Sequence, residues 1–197
     1  MALSATGFAI FAASHTLLAK REIKERIFKR FPGIRPVYRI SYTVLSTMLL
    51  GTWYWLSPFP DGFLYEVPYP YALFFHVLQL AGGAMFVISL RTVNLMHFLG
   101  IEQCKHQSDS SSDQGDRLVT RGIYSRVRHP LYTASMMILL FHPIMSNKLA
   151  FITVLFGLYF WIGSVFEERN LVAKFGRKYK EYQRQVPRFI PNILPNR

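Results

Sequence analysis

Five apolar stretches constrain this chain more than any other feature: residues 2–19, 38–57, 69–90, 131–145 and 149–166. A helix needs about 20 predominantly apolar residues to cross the hydrocarbon core of a bilayer, and four of the five approach or reach that length. With 51% of residues hydrophobic, 16% aromatic and only 17% charged, the balance is too apolar for a small soluble domain. The chain therefore reads as all-α: a polytopic membrane protein of about five transmembrane helices, with 1–197 as a single integral-membrane domain. The fourth stretch is short for a span. It either borrows length from 127–130 or forms a tight hairpin with the fifth, turning at 142–148.

Charge placement tests this partition independently. Of the 23 Lys and Arg residues, all but Lys148 fall in three segments, 20–39, 91–128 and 169–197. Cytoplasmic loops carry an excess of such residues, so the alternation predicts an N-terminus outside and a C-terminus in the cytoplasm. A net charge of +12 also brings nucleic acid to mind. Here the charge is parcelled into juxtamembrane loops, which fits anionic lipid headgroups as partners and no nucleic acid. The first run has no positive segment before it and a basic cluster after it, so it reads as a retained span and not a cleaved signal. Cys104 is the only cysteine, which excludes an intrachain disulfide and a multi-thiolate metal site within one chain. No metal is expected, and a thiol on the cytoplasmic side stays reduced.

Between the spans, Gln107–Asp116 (QSDSSSDQGD) is too polar for lipid and reads as a loop. Residues 91–104 mix apolar and polar side chains and are expected to lie along the inner surface. Pro, Gly and aromatic residues crowd 57–71, an ordered external turn. From Asn170 onward, Leu171, Phe175, Tyr179 and Tyr182 recur at helical spacing. That predicts a cytoplasmic amphipathic helix with a basic polar face, stopping near Pro187.

Two polar clusters stand out against this apolar background. In RGIYSRVRHPLY, residues 121–132, proline follows His129 at the point where apolar sequence resumes. Proline is favoured at the first position of a helix, so a helix is expected to start at Pro130 and to aim its unpaired N–H groups at the interface. Such an end attracts anions. Arg126 and Arg128 add positive charge, and Tyr124 and Tyr132 offer rings and hydroxyls. The plainer alternative is arginines snorkelling to headgroups and tyrosines in an interfacial belt. The second cluster is Glu167–Glu168, at the end of the fifth stretch. Carboxylates there face a negative leaflet and, if the helix stops there, the negative end of its dipole. A cation must compensate, either Arg169 and Lys174 nearby or a bound ligand.

RLVTRGIYSRVRHPLY at 117–132, followed by EERNLVAKFGRKYKEYQRQVPRFIP at 167–191, resembles the integral-membrane methyltransferases that include the isoprenylcysteine carboxyl methyltransferases and phospholipid methyltransferases. The shared pattern is G-x-Y, RHP-x-Y, EE-x-x-L, FG-x-x-Y and VP. Residues 1–106, through SHTLLAKREIKERI, YRISY and HFLGIEQ, resemble the NnrU group and the methanethiol S-methyltransferases, as a three-helix part. The resemblance implies S-adenosylmethionine as cofactor, held by the 117–191 part in a pocket at the cytoplasmic face. Its contacts fall on Gly122, Tyr124, His129, Pro130 and Tyr132, with Glu167 and Glu168 as the acidic side. The sulfonium already activates the methyl group, so catalysis rests on positioning and exclusion of water. Arg128 and Glu168 are the catalytic candidates, Arg128 because a cation favours the thiolate form of an acceptor. Isoprenylcysteine enzymes carry an arginine just before the glutamate pair. This chain reads WIGSVFEE, with Arg169 only after it, so the resemblance points to a lipophilic or small thiol acceptor, with a carboxyl group or a phospholipid headgroup as alternatives. Two further readings stay open. The NnrU group also resembles a haem-dependent isomerase, for which His15 or His76 would ligate iron, and a non-catalytic membrane accessory protein would bind no cofactor.

Overall fold

The computed structural model describes residues 1–92 and 118–191. The inner-surface segment expected at 91–104, apart from Arg91 and Thr92, lies outside the described residues, as do Cys104 and the 107–116 loop. The described residues form two compact units, 1–60 and 61–92 with 118–191. Three of their helices are long and apolar enough to cross a membrane: Ala2–Ala19, Ala72–Thr92 and Asn147–Phe175.

The first unit comprises α1 (Ala2–Ala19), α2 (Arg21–Arg30), a 3-10 turn (Pro32–Ile34) and α3 (Tyr38–Leu56). Close packing and hydrogen bonds are what hold apolar helices together where lipid removes the hydrophobic drive. Both are present between α1 and α3. Trp53 Nε1 donates to the Ser4 carbonyl at 2.8 Å, and the indole lies so near Gly7 that a Cβ there would sit 2.9 Å from Trp53 Cδ1. His15 places Nδ1 3.0 Å from Ser46 Oγ and Nε2 2.8 Å from Tyr42 Oη. Both ring nitrogens of this histidine are thus engaged by α3, the common fate of a lone His between helices. α3 has the 19-residue length of a span, but its Tyr, Ser and Thr residues make it less apolar than α1.

The second unit holds β1 (Phe63–Glu66), α4 (Ala72–Thr92), a 3-10 turn (Gly122–Ser125), α5 (Pro130–Leu140), β2 (Ile144–Ser146), α6 (Asn147–Phe175) and α7 (Arg177–Gln185). β1 and β2 pair antiparallel, with Phe63 opposite Ser146 and Glu66 opposite Ile144. α5 begins at Pro130 as the sequence predicts. It ends sooner than the fourth apolar stretch, after 11 residues, because the chain turns at 141–143 and becomes β2. Of the two possibilities for that stretch, the hairpin is the one formed. Tyr132 stacks on Phe160 at 4.8 Å, and Met136 reaches Gly157, so α5 and α6 run antiparallel from the turn. On its other side α5 meets α4 closely, where Gly82 would bring a Cβ within 3.0 Å of Met137 Cβ.

α6 starts at a capped end, Ser146 Oγ accepting the Leu149 N–H at 3.1 Å, and runs 29 residues. At 1.5 Å per residue that is about 43 Å, longer than a hydrocarbon core. The continuous amphipathic helix expected from Asn170 is instead divided. α6 carries on to Phe175, and Gly176, with φ +55, breaks the helix before α7 leaves in a new direction. The predicted apolar stripe still closes into one cluster: Tyr179, Tyr182 and Val186 are buried against Leu118, Leu171, Val172 and Phe175. α7 ends at Gln185, close to Pro187.

Candidate functional site

Two local features bring the polar clusters together. The 3-10 turn at 122–125 delivers Val127, fully buried against Met85 and Ala134, and so pins the start of α5. Beyond α7, the segment 186–190 runs back across that same helix start. Arg128 N–H donates to the Pro187 carbonyl at 2.9 Å and His129 N–H to the Arg188 carbonyl at 3.1 Å, while Thr133 Oγ1 donates to the Phe189 carbonyl at 2.7 Å.

Under this strap lies Glu168, only 3% exposed. Its Oε1 accepts Arg128 Nε at 2.7 Å and faces His129 Nε2 at 3.1 Å. Its Oε2 accepts Arg188 Nη2 at 2.7 Å and Gln183 Nε2 at 2.9 Å. A carboxylate accepts and never donates, so the His129 tautomer that bonds Glu168 carries its proton on Nε2. A charge buried this deeply is tolerable only when paired and hydrogen-bonded on all sides. Arg128 serves more than Glu168, because its Nη1 donates to the carbonyls of Gln183 and Val186.

The neighbouring acid is placed differently. The Glu167 side chain is 48% exposed, and its Oε2 accepts the Tyr132 hydroxyl at 3.1 Å while His129 Nδ1 stands 3.5 Å away. The Tyr132 ring lies parallel to the His129 ring, 5.3 Å between centroids, and to Phe160 on its other side. Phe189 and Trp161 extend the aromatic wall, their centroids 5.9 Å apart. The Arg188 guanidinium sits 5.5 Å over Trp161.

Three tyrosines border the clasp outside the apolar spans. The Tyr182 hydroxyl donates to the Tyr124 carbonyl at 2.6 Å. Burial pushes the Tyr124 phenol up to about 12, helped by the Glu167 charge, and burial raises Tyr182 to about 12. Tyr179, wholly buried, is raised by burial as well. All three stay neutral near pH 7, which keeps the Tyr182 hydroxyl a donor.

The residues singled out in the sequence are thus largely gathered. Arg128, His129, Tyr132, Glu167 and Glu168 form one connected cluster, Pro130 starts the helix that carries Tyr132, α6 carries the two acids, and the Tyr124 carbonyl accepts the Tyr182 hydroxyl. Gly122 is exposed at the 3-10 turn with φ +65, the left-handed geometry that favours glycine. The dipole argument does not carry over, because α6 runs well past the carboxylates and they sit within the helix, not at its end. The compensating cations for Glu168 are Arg128 and Arg188. Arg169, suggested by proximity, has its guanidinium over the Phe166 ring. Gln183, Arg188, Phe189, Phe160 and Trp161 were not foreseen. For Arg188 a signal existed: a lone cation directly after the helix-stopping Pro187. A shallow groove lined by Val172, Gly176, Arg177, Lys180, Glu181 and Arg184 lies at the α6–α7 junction and includes none of the predicted site residues.

Comparison with known proteins gives this cluster a context. Residues 77–178 match the family model described as phospholipid methyltransferase. Methanethiol S-methyltransferase of Crocosphaera subtropica is 27% identical over 93% of this chain and 72% of its own length. Methanethiol S-methyltransferase 1 of Bradyrhizobium diazoefficiens is 26% identical over 93% of the chain and 64% of its own length. Protein-S-isoprenylcysteine O-methyltransferase B of Arabidopsis thaliana is 33% identical over 41% of the chain and 43% of its own length. The chain is therefore shorter than the methanethiol enzymes it resembles, spanning 64% of one and 72% of the other. No solved structure matches it.

Proposed function

Because this chain, an integral-membrane methyltransferase, belongs to the phospholipid methyltransferase family, we propose that it takes its methyl group from S-adenosylmethionine and passes it to a small or lipophilic thiol. The observation that carries this reading is the division between the two carboxylates. Glu168 is enclosed by four donor side chains and holds the site together, whereas half-exposed Glu167, beside Tyr132 and the start of α5, is left to meet a ligand. The donor set fits the proposed cofactor. A carboxylate suits its ammonium and ribose hydroxyls, and aromatic walls suit its adenine. The first-turn N–H groups of Leu131 and Tyr132, which have no carbonyl four residues back within α5, suit its carboxylate. When bound, the cofactor supplies a methyl group already activated by positive sulfur.

The protein's part is then to bind, orient and keep water out. Glu167, Tyr132, His129 and the Pro130 helix start form the binding edge, with Tyr124 and Gly122 shaping the loop before it. Arg128 and Glu168 act on the reaction by fixing that edge, since the guanidinium of Arg128 bonds Glu168 and two carbonyls. The cluster lies wholly within 117–191, the proposed cofactor-binding part. A thiol acceptor, with a reference pKa near 8.5, needs only modest help to ionise. A prenylcysteine carboxylate would need a cation of its own, and the two arginines of the clasp both serve Glu168. This favours the thiol, in keeping with the relatives named for methanethiol.

We further propose five crossings, with the N-terminus outside and the C-terminus and site in the cytoplasm. The supports are the five apolar stretches, the segregated basic residues and the position of the acids: Glu167 and Glu168 come about 30 Å along α6 from Asn147, one hydrocarbon thickness. Calorimetry with S-adenosylmethionine on the detergent-solubilised protein tests the site. Glu167→Gln, which loses a charge-assisted contact of about 1.5–3 kcal/mol, should weaken binding roughly 10–100-fold. Radiolabelled donor offered with methanethiol, prenylcysteines or phospholipids tests the acceptor, and label appearing only in phospholipid would refute the thiol assignment.

A further inference from the structure

The family match ends at residue 178, yet two of the side chains that close around Glu168 lie beyond it, Gln183 and Arg188. We propose that Arg188 is a positioning residue for the methyl-donor site, acting through Glu168; this rests on the reading of that site given above. Residue 188 holds His129 twice. Its carbonyl accepts the His129 N–H at 3.1 Å. Its guanidinium grips Glu168, through Nη2 at 2.7 Å and Nε at 3.3 Å, and Glu168 in turn holds the His129 ring through Nε2 at 3.1 Å. A closed circuit of contacts therefore runs from the strap to the carboxylate to the imidazole and back to the strap.

The circuit reaches the binding edge in two further steps. The His129 ring stacks on Tyr132, whose hydroxyl bonds Glu167. A shift of Glu168 turns the imidazole, and the imidazole sets the plane on which Tyr132 and Glu167 are arranged. Arg188 is suited to this task because a planar fork fixes the orientation of a carboxylate as well as its charge. The guanidinium is also held from its other side, 5.5 Å over Trp161. With its side chain 28% exposed, it is the most accessible of the cations on Glu168, so it can be altered with the least damage to the buried core.

The experiment is calorimetric titration of the full-length protein in detergent micelles with S-adenosylmethionine, with melting temperature recorded in parallel. Arg188→Met keeps the backbone contact to His129 and much of the apolar stem, and removes only the guanidinium. Contacts that orient a metal ligand are worth about 10–100-fold in affinity; on the same scale for this carboxylate, at least tenfold weaker binding is expected. Arg188→Lys should fall between wild type and Met, and millimolar guanidinium chloride should restore part of the Met variant's affinity. Wild-type affinity in Arg188→Met overturns the inference whatever the melting temperature does, and so does a loss that neither lysine nor added guanidinium relieves. If Arg188→Met is not recovered folded, Arg188→Lys decides: severalfold weaker binding supports the role, and wild-type affinity overturns it. Glu167→Gln in the same series separates the two levels. If it binds donor normally, the reading of the site fails and this inference with it; if it binds weakly while the Arg188 variants bind normally, this inference alone fails.

Discussion

Neutralising Glu168 should damage stability far more than neutralising Glu167, although the two residues are adjacent and chemically identical. Glu168→Gln keeps the size of the side chain but replaces one acceptor oxygen with an NH2 donor, in a nest that already contains Arg128, His129, Gln183 and Arg188 as donors. Breaking a buried ion pair by removing one partner costs about 3–5 kcal/mol. Arg188 is partly open to solvent and the amide keeps one oxygen, which argues for the lower end, about 3 kcal/mol. For a chain of this length each kcal/mol moves the melting temperature by about 2–4 °C, so Glu168→Gln should melt about 6–12 °C below wild type. Glu167, half-exposed and holding one hydroxyl, should cost no more than about 1 kcal/mol on the same change. Thermal unfolding followed by circular dichroism in micelles reads both. A Glu168→Gln variant melting with wild type, or a Glu167→Gln variant melting as low as Glu168→Gln, would refute the division between a structural and a ligand-facing acid.

Two other perturbations probe the supporting structure. Tyr124 and Tyr182 titrate near 12 in the folded protein against about 10 when unfolded. The folded state thus holds their protons more tightly, and their contribution is complete below pH 10 and lost as pH rises from 10 to 12. Melting temperatures measured across that range should decline less steeply in Tyr182→Phe than in wild type, and parallel curves would contradict the assignment. Gly176→Ala meets no steric obstacle, but its φ of +55 with ψ of −125 strains any residue with a Cβ, by about 1–3 kcal/mol. It should lower the melting temperature and loosen the Tyr179–Tyr182 cluster, seen as faster amide exchange in α7; unchanged exchange would show that the break does not orient that helix.

What the sequence disclosed and what it hid follow from the range of the interactions concerned. The helix start at Pro130 was legible because it depends on one residue's missing N–H and fixed φ. The hairpin between α5 and α6 was legible as an alternative, because 15 apolar residues are too few to span comfortably. That a cation must answer the acids was also legible, from electrostatics alone. Its identity was not, since Arg188 reaches Glu168 only because α6 stops at Gly176 and the chain folds back. That stop had a local signal, a glycine directly after a basic last turn, which the hydrophobic stripe through 171–182 masked by continuing in register across the break. The different fates of the two acids follow from a still simpler rule. Neighbours on a helix at 3.6 residues per turn point about 100° apart, so a Glu–Glu pair cannot present both carboxylates to one buried nest. The same geometry carries Arg169 a further 100° round, away from the nest, and so the answering cations had to come from another element.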